Sequence, residues 1–179
     1  DAGCTWAPEA VYVENEKDYL VFWASTTKRD DFAKHRIWAA RTKDFRKFGE
    51  PFIYIEKPTT IIDTTIVRGG DKYFRFTKDE KFKAITLESS EKLTGTWTEV
   101  PGFSLAQLRG YEGPECYQVE AAADGKPATW CLILDQYSKG TGYQPFITHD
   151  LAGGQFTSGE GRKGIQQCFP ALRRVLTRD

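Results

Sequence analysis

Four carboxylates stand out in this sequence for the residues around them. Glu9 closes Trp6-Ala7-Pro8-Glu9, Asp63 lies in Ile62-Asp63-Thr64-Thr65, and Glu112 and Glu115 frame Tyr111-Glu112-Gly113-Pro114-Glu115. Each group precedes an apolar, aromatic-rich segment, and the three recur about every fifty residues, a period typical of repeat architectures. Read as three copies of one structural position, they bring Glu9, Asp63 and Glu112 to one site. Carboxyls paired in this way suit the splitting of a glycosidic bond. One, protonated, gives the leaving oxygen its proton, and another, ionised on the opposite face, activates water. Glu112 is the candidate acid, because Gly113-Pro114 fixes a rigid turn behind it. A proline-fixed turn with two carboxylates has little structural need.

The elements that must position these residues are strands. No long segment repeats apolar residues at three and four, whereas short β-branched and aromatic runs between turn residues fill the chain. First strands are expected at Ala10–Glu14, Thr64–Arg68 and Glu115–Ala121, each just after its carboxylate group. Second strands are expected at Asp18–Ser25, Asp71–Lys78 and Ala128–Asp135, third strands at Arg36–Arg41, Lys83–Glu88 and Gln144–Thr148, and outer strands at Pro51–Ile55, Thr96–Val100 and Gly154–Ser158. Glu14-Asn15-Glu16-Lys17, Gly69-Gly70 and Asp124-Gly125-Lys126 carry hairpin chemistry before the second strands. Thr42-Lys43-Asp44-Phe45, Ser89-Ser90-Glu91-Lys92 and Thr148-His149-Asp150-Leu151 echo one another after the third. Tyr19, Val21 and Trp23 alternate with Leu20, Phe22 and Ala24, so this strand is apolar on both faces and should be covered on both. The fold class is therefore all-β, a β-propeller with three visible four-stranded blades at about 6–58, 59–108 and 109–160, and a closing segment 161–179. Either three blades close a small ring, or they are part of a larger one. An unclosed unit would be open to self-association.

Composition narrows the function classes. The 179 residues hold 25 basic and 25 acidic side chains, so the basic footprint of a nucleic-acid binder is missing. No apolar run reaches membrane-span length and no basic-then-apolar leader is present, so a soluble chain is expected. It begins at Asp1 and contains no Met, so the expectation is a removed initiator or leader, or an upstream segment outside this sequence. Aromatic residues make up 14 % of it, enough both to build strands and to stack on sugar rings. Cys4, Cys116, Cys131 and Cys168 show no ligand spacing for zinc. Cys116 and Cys131 are expected as buried thiols, and Cys4 with Cys168 as a candidate disulfide tying the ends. His35 and His149 read as surface residues far from the axis. Trp6 is read as core or as a sugar platform, Arg75 as a sugar contact or a salt bridge to Asp63 or Glu115. Gln136, Arg36 and Glu115 are further candidates for substrate binding.

Trp6-Ala7-Pro8-Glu9, Ile62-Asp63 and Glu112-Gly113-Pro114-Glu115, in that order and one per blade, resemble glycoside hydrolase family 43, the arabinofuranosidases, xylosidases and arabinanases built on five-bladed propellers. Asp18–Ser25, His35–Phe45, Ile61–Asp79 and Trp130–Tyr137 extend the resemblance over nearly the whole chain. It implies a pentosyl oligosaccharide or polysaccharide substrate, inversion of configuration, Glu112 as general acid, and Asp63 as the residue that orients the acid and raises its pKa. The family's general base is an Asp upstream of the first motif. Asp1 lacks the expected Asp-Pro context, so Glu9 becomes the substitute candidate, and the alternative is a carbohydrate-binding propeller that has lost its base. Some members place a His beside an axial metal; 164–172 has no His, so no metal and no cofactor are expected. An extracellular or periplasmic location is expected, with a cytoplasmic one as the alternative.

Overall fold

The computed structural model describes residues 1–159 and Cys168. They form three four-stranded antiparallel sheets, each with its strands in chain order. The first holds β1 (Trp6–Val13), β2 (Asp18–Ser25), β3 (Arg36–Thr42) and β4 (Phe52–Ile55), and the second holds β5 (Ile61–Gly69), β6 (Lys72–Asp79), β7 (Ala84–Ser90) and β8 (Thr98–Glu99). The third holds β9 (Glu112–Glu120), β10 (Thr129–Asp135), β11 (Tyr143–Thr148) and β12 (Thr157–Ser158). The repeat reaches single hydrogen bonds. Thr42, Ser90 and Thr148 end their third strands alike, each hydroxyl accepting the backbone N–H two residues on.

The outer strands β8 and β12 are shorter than the sequence suggests. Trp97 turns back so that its indole N–H donates to the Leu93 carbonyl, and Gly154, at φ 65, belongs to a turn closed onto Leu151. In the first hairpin the left-handed residue is Lys17, not Asn15.

Two apolar cores separate the sheets. Leu20, Phe22 and Ile37 meet Ile61 and Ile66 between the first and second, and Phe74 and Phe76 meet Leu132, Leu134 and Phe146 between the second and third. The middle sheet is thus covered on both faces, as a blade between neighbours must be. In the first sheet only one face is so covered: Leu20 and Phe22 are fully buried, whereas Tyr19, Val21 and Trp23 are half-buried, because this sheet stands at the end of the row. The described residues form an open arc of blades, part of a β-propeller.

Two charged residues expected near the site are structural. Arg75 Nε donates to Glu88 Oε2 at 2.8 Å, with its guanidinium 4.3 Å from the Trp97 ring centroid, and does not pair with Asp63 or Glu115. It sits on the face of β6 turned toward the first sheet, where Lys57 completes its pairing with Glu88. Arg36 is buried between Asp30 and Glu56, at 2.7 and 2.9 Å.

The disulfide joins Cys131 to Cys168, not Cys4 to Cys168, with Cα atoms 5.6 Å apart. Cys131 faces outward from β10 beside Ile147, and the Tyr117 hydroxyl donates to the Cys168 carbonyl, so Cys168 docks on the third sheet. Cys116 is a buried thiol, as expected, and Cys4 is free and half-buried.

This pairing predicts an order of thiol reactivity. Native protein alkylates at Cys4 first, denatured but unreduced protein at Cys4 and Cys116, and reduced protein at all four cysteines, as read by peptide mass. Labelling of Cys131 without reduction would contradict the assignment.

Candidate active site

The three innermost strands, β1, β5 and β9, each carry one irregularity near their start. The register slips between Trp6 and Glu9, between Ile62 and Thr64, and opposite Glu112 between Ile133 and Asp135. In each, one residue adopts a left-handed backbone: Ala7 (φ 43), Asp63 (φ 47) and Gly113 (φ 54). These are β-bulges, which insert a residue and re-aim the side chains around it. The strands also begin earlier than the sequence suggests, because the carboxylate groups lie within them.

Aligning the bulges corrects the equivalence drawn from the sequence. Ala7, Asp63 and Gly113 correspond, so Glu9 matches Glu115 and Thr65, while Glu112 matches Trp6 and Ile62. Glu9, Asp63 and Glu112 are therefore not copies of one position. They lie after, at and before the bulge. The repeated Pro-Glu in Ala7-Pro8-Glu9 and Gly113-Pro114-Glu115 is the signal that shows this register in the sequence.

The bulges enclose a cavity of about 200 Å³ lined by the Ala7-Pro8-Glu9 and Gly113-Pro114-Glu115 turns, Asp63, Thr64 and Tyr143. A larger groove of about 610 Å³ runs outside the second sheet between Ser89 and Pro101, away from these carboxylates. Size alone does not select the site; convergence of ionisable groups does.

Each carboxylate has its own environment. Glu9 Oε1 accepts the Ile66 N–H at 3.1 Å. Burial pushes its carboxyl up to about 7, with the nearby Glu115 adding to the rise and the Ile66 bond opposing it. Asp63 Oδ2 accepts the Gly113 N–H at 3.2 Å, which ties the second bulge to the third. Burial also raises the Asp63 carboxyl, against that bond and Lys78, and with Glu112 and Glu80 adding to the rise. Glu115 is raised by burial. The like-charge coupling of Asp63 with Glu112 is present, and it adds to the rise of the Asp63 carboxyl.

Lys78, at the end of β6, was missed by sequence reasoning. It is 2 % exposed, and its Nζ lies 2.6 Å from both Glu112 Oε2 and Glu80 Oε1 and 4.6 Å from the Tyr137 ring centroid. Burial alone would favour the neutral amine, but the bonds to Glu112 and Glu80 outweigh it and hold the ammonium charged. A lysine ending the apolar run Tyr73-Phe74-Arg75-Phe76-Thr77 is the sequence signal for it.

Trp6 is on the rim, 51 % exposed, stacked on His35 with ring centroids 4.9 Å apart. His35 is therefore at the site rather than distal, and burial lowers its pKa, opposed by Glu80. His149 lies at the other end of β10, 3.3 Å from the Thr129 hydroxyl. Gln136 follows β10 in a loop rather than within an inner strand, and its carbonyl accepts the Thr141 hydroxyl. Among the described residues no three His, Cys, Asp or Glu side chains form a set that could hold a metal. Apart from Cys168, the segment 164–172 lies outside the described residues.

Residues 1–167 match a family of probable glycosyl hydrolase domains related to glycoside hydrolase family 43. The chain belongs to this family. It is 33 % identical, over 149 residues, to an α-L-arabinofuranosidase of Bifidobacterium longum subsp. longum; the match covers 64 % of this chain and 14 % of that enzyme's length. The fold resembles sucrose-6-phosphate hydrolase from Lactobacillus gasseri (TM-score 0.63, 16 % identity, 88 % of this chain and 35 % of that one). It also resembles a family 117 glycoside hydrolase from Zobellia galactanivorans (TM-score 0.60, 14 % identity, 89 % and 56 %). A thermostable family-43 glycoside hydrolase gives a TM-score of 0.56 at 11 % identity, covering 87 % and 57 %. The chain thus spans a small part of its curated relative and between about a third and just over half of these solved structures. They show the fold: a partial β-propeller of the family 43 kind.

Glu9 predicts a pH dependence of stability. Its carboxyl titrates near 4.5 in the unfolded chain and near 7 when folded, so between those values the folded state binds the extra proton. Stability from this group is complete below 4.5 and is lost as pH rises to 7. Glu9→Gln stays neutral and should gain on the wild type across that window, by no more than about 3 kcal/mol. Thermal melts at pH 5 and pH 8 check this; an unchanged difference between the two proteins would contradict it.

Proposed function

We propose that this glycosyl hydrolase domain cleaves pentosyl linkages, α-L-arabinofuranosyl or β-xylosyl, of plant-type glycans by carboxylate acid and base catalysis. The observation that carries the reading is the setting of Glu112. It stands next to a left-handed Gly113 whose N–H is anchored by Asp63, and its own carboxylate is bonded to a buried lysine, beside a cavity holding three further carboxyls. A group fixed by a bulge and a neighbouring strand is held in place for proton transfer.

In this reading Glu112, once protonated, gives its proton to the glycosidic oxygen as the bond to the anomeric carbon breaks. Lys78 then re-forms its bond to the carboxylate left behind, and until then Glu80 keeps the ammonium paired. Asp63 holds the Gly113 backbone and so orients the acid. Glu9, poised near neutrality by burial, accepts a proton from the water that attacks the anomeric carbon. Trp6, backed by His35, offers a ring to a sugar face, and Glu115 and Gln136 offer acceptors to hydroxyls. The Cys131–Cys168 disulfide supports an oxidising location, extracellular or periplasmic.

A binding-only reading is favoured by the same ion pair, since a carboxylate fixed by lysine also suits recognition of sugar hydroxyls. Hydrolysis of aryl α-L-arabinofuranoside and aryl β-xyloside separates the two. Glu112→Gln should lower turnover about 100- to 10,000-fold while sugar binding persists. A wild-type protein that cleaves neither substrate would overturn the hydrolase reading.

A further inference from the structure

Connectivity places the β2–β3, β6–β7 and β10–β11 loops on the same end of the blades as the starts of β1, β5 and β9. Nine large hydrophobic side chains are exposed among the described residues, and five of them, Trp6, Phe32, Phe82, Tyr137 and Tyr143, belong to this end. Single exposed aromatics need no explanation, but a set gathered on the face that carries the carboxylates does.

Phe82 is the informative member because it lies outside the site described above. It is 57 % exposed, on the turn that joins β6 to β7, and that turn is held by two hydrogen bonds and an ion pair. Asp79 Oδ1 accepts the Phe82 N–H at 2.9 Å, and Glu80 donates its own N–H to the Thr60 carbonyl at 2.9 Å. Glu80 also joins Lys83 Nζ at 2.5 Å, and Lys83 has a left-handed backbone, φ 53. Lys81 Nζ stands 5.6 Å from the Phe82 ring centroid. A ring held in water by a fixed turn binds without the entropy of ordering a loop.

A cavity of about 360 Å³ opens beside this ring. Ile61 and Pro58 give it apolar surface, and Lys57, Thr59, Asp79 and Glu99 give it donors and acceptors. Its volume lies within the range of small-molecule sites. An aromatic ring next to groups that hydrogen-bond in both directions, with cations and anions together, suits an uncharged sugar, whose ring carbons stack while its hydroxyls are bonded. Glu80 links the two places, since it pairs with Lys78 on the catalytic side and Lys83 on the Phe82 side.

We infer that the Phe82 cavity is a distal subsite for a neutral glycan chain, so that the substrate is a polymer or long oligosaccharide reaching from the carboxylate site across the second blade. This rests on the glycan reading of the site and extends it to substrate length.

Affinity electrophoresis in gels containing arabinan or arabinoxylan tests it, beside hydrolysis of aryl α-L-arabinofuranoside. Retardation of the wild type should weaken about threefold to tenfold in Phe82→Ala, be kept in Phe82→Trp, and be unchanged in Phe52→Ala, which removes an exposed ring from an outer strand. Equal retardation of Phe82→Ala and wild type would overturn the subsite. Cleavage of the aryl glycoside with no retardation of the wild type by either polymer would also overturn it, while leaving the proposed function standing. Phe82-dependent retardation without cleavage would support the subsite and count against hydrolysis.

Discussion

The site depends on one backbone constraint, the left-handed residue inserted near the start of each innermost strand. Ala7 and Asp63 adopt it without being glycine, at a cost of roughly 1–2 kcal/mol each. The strain is held by the cores on either side and by the bond from Gly113 N–H to Asp63. Gly113 takes the left-handed backbone without that cost, at φ 54, and an added Cβ there would press on the Tyr143 hydroxyl at 3.3 Å. Regular strands would send the flanking side chains alternately to either face of the blade. The extra residue lets Glu112, Asp63, Glu9 and Glu115 gather at one end instead.

Gathering them creates an electrostatic problem that the surroundings answer unevenly. Glu9, Asp63 and Glu115 are all raised mainly by burial, which disfavours their charged forms. Lys78 supplies the cation, and its burial is tolerable because both Glu112 and Glu80 bond to it; removing either partner would leave charge uncompensated. Neighbouring carboxyls are thus set apart: Glu112 is ion-paired to Lys78, while burial disfavours the charged forms of Glu9, Asp63 and Glu115. Environments that differ in this way assign different roles to chemically similar groups.

Much of the architecture was legible in the sequence. The Asp18–Ser25 strand coincides with β2 to the residue, since apolar side chains on both faces and turn residues at both ends leave few alternatives. Convergence of the carboxylate groups followed from the repeat period alone. Their relative register did not, because a bulge changes facing without changing hydrophobicity, and only the repeated Pro-Glu hints at it. Arg75 looked functional as a charge in an apolar strand, yet Glu88 lies directly across from it on β7. Lys78 looked like the end of a strand and proved to be the partner of Glu112. His35 came to the site through its stacking on Trp6, and the Cys131–Cys168 pairing through a contact across 37 residues. Neither is encoded in local spacing.

The central claim is that carboxylates from three separate strands form one sugar-binding site. Carboxyl-carbon NMR of the Asp and Glu side chains during titration with an arabino-oligosaccharide tests it most directly. The account predicts that the Glu9, Asp63 and Glu112 resonances shift together with one binding isotherm, while those of Glu14 and Glu50 on the first sheet's side of the chain stay still. Shifts confined to one strand, or none at these three residues under saturating sugar, would contradict it.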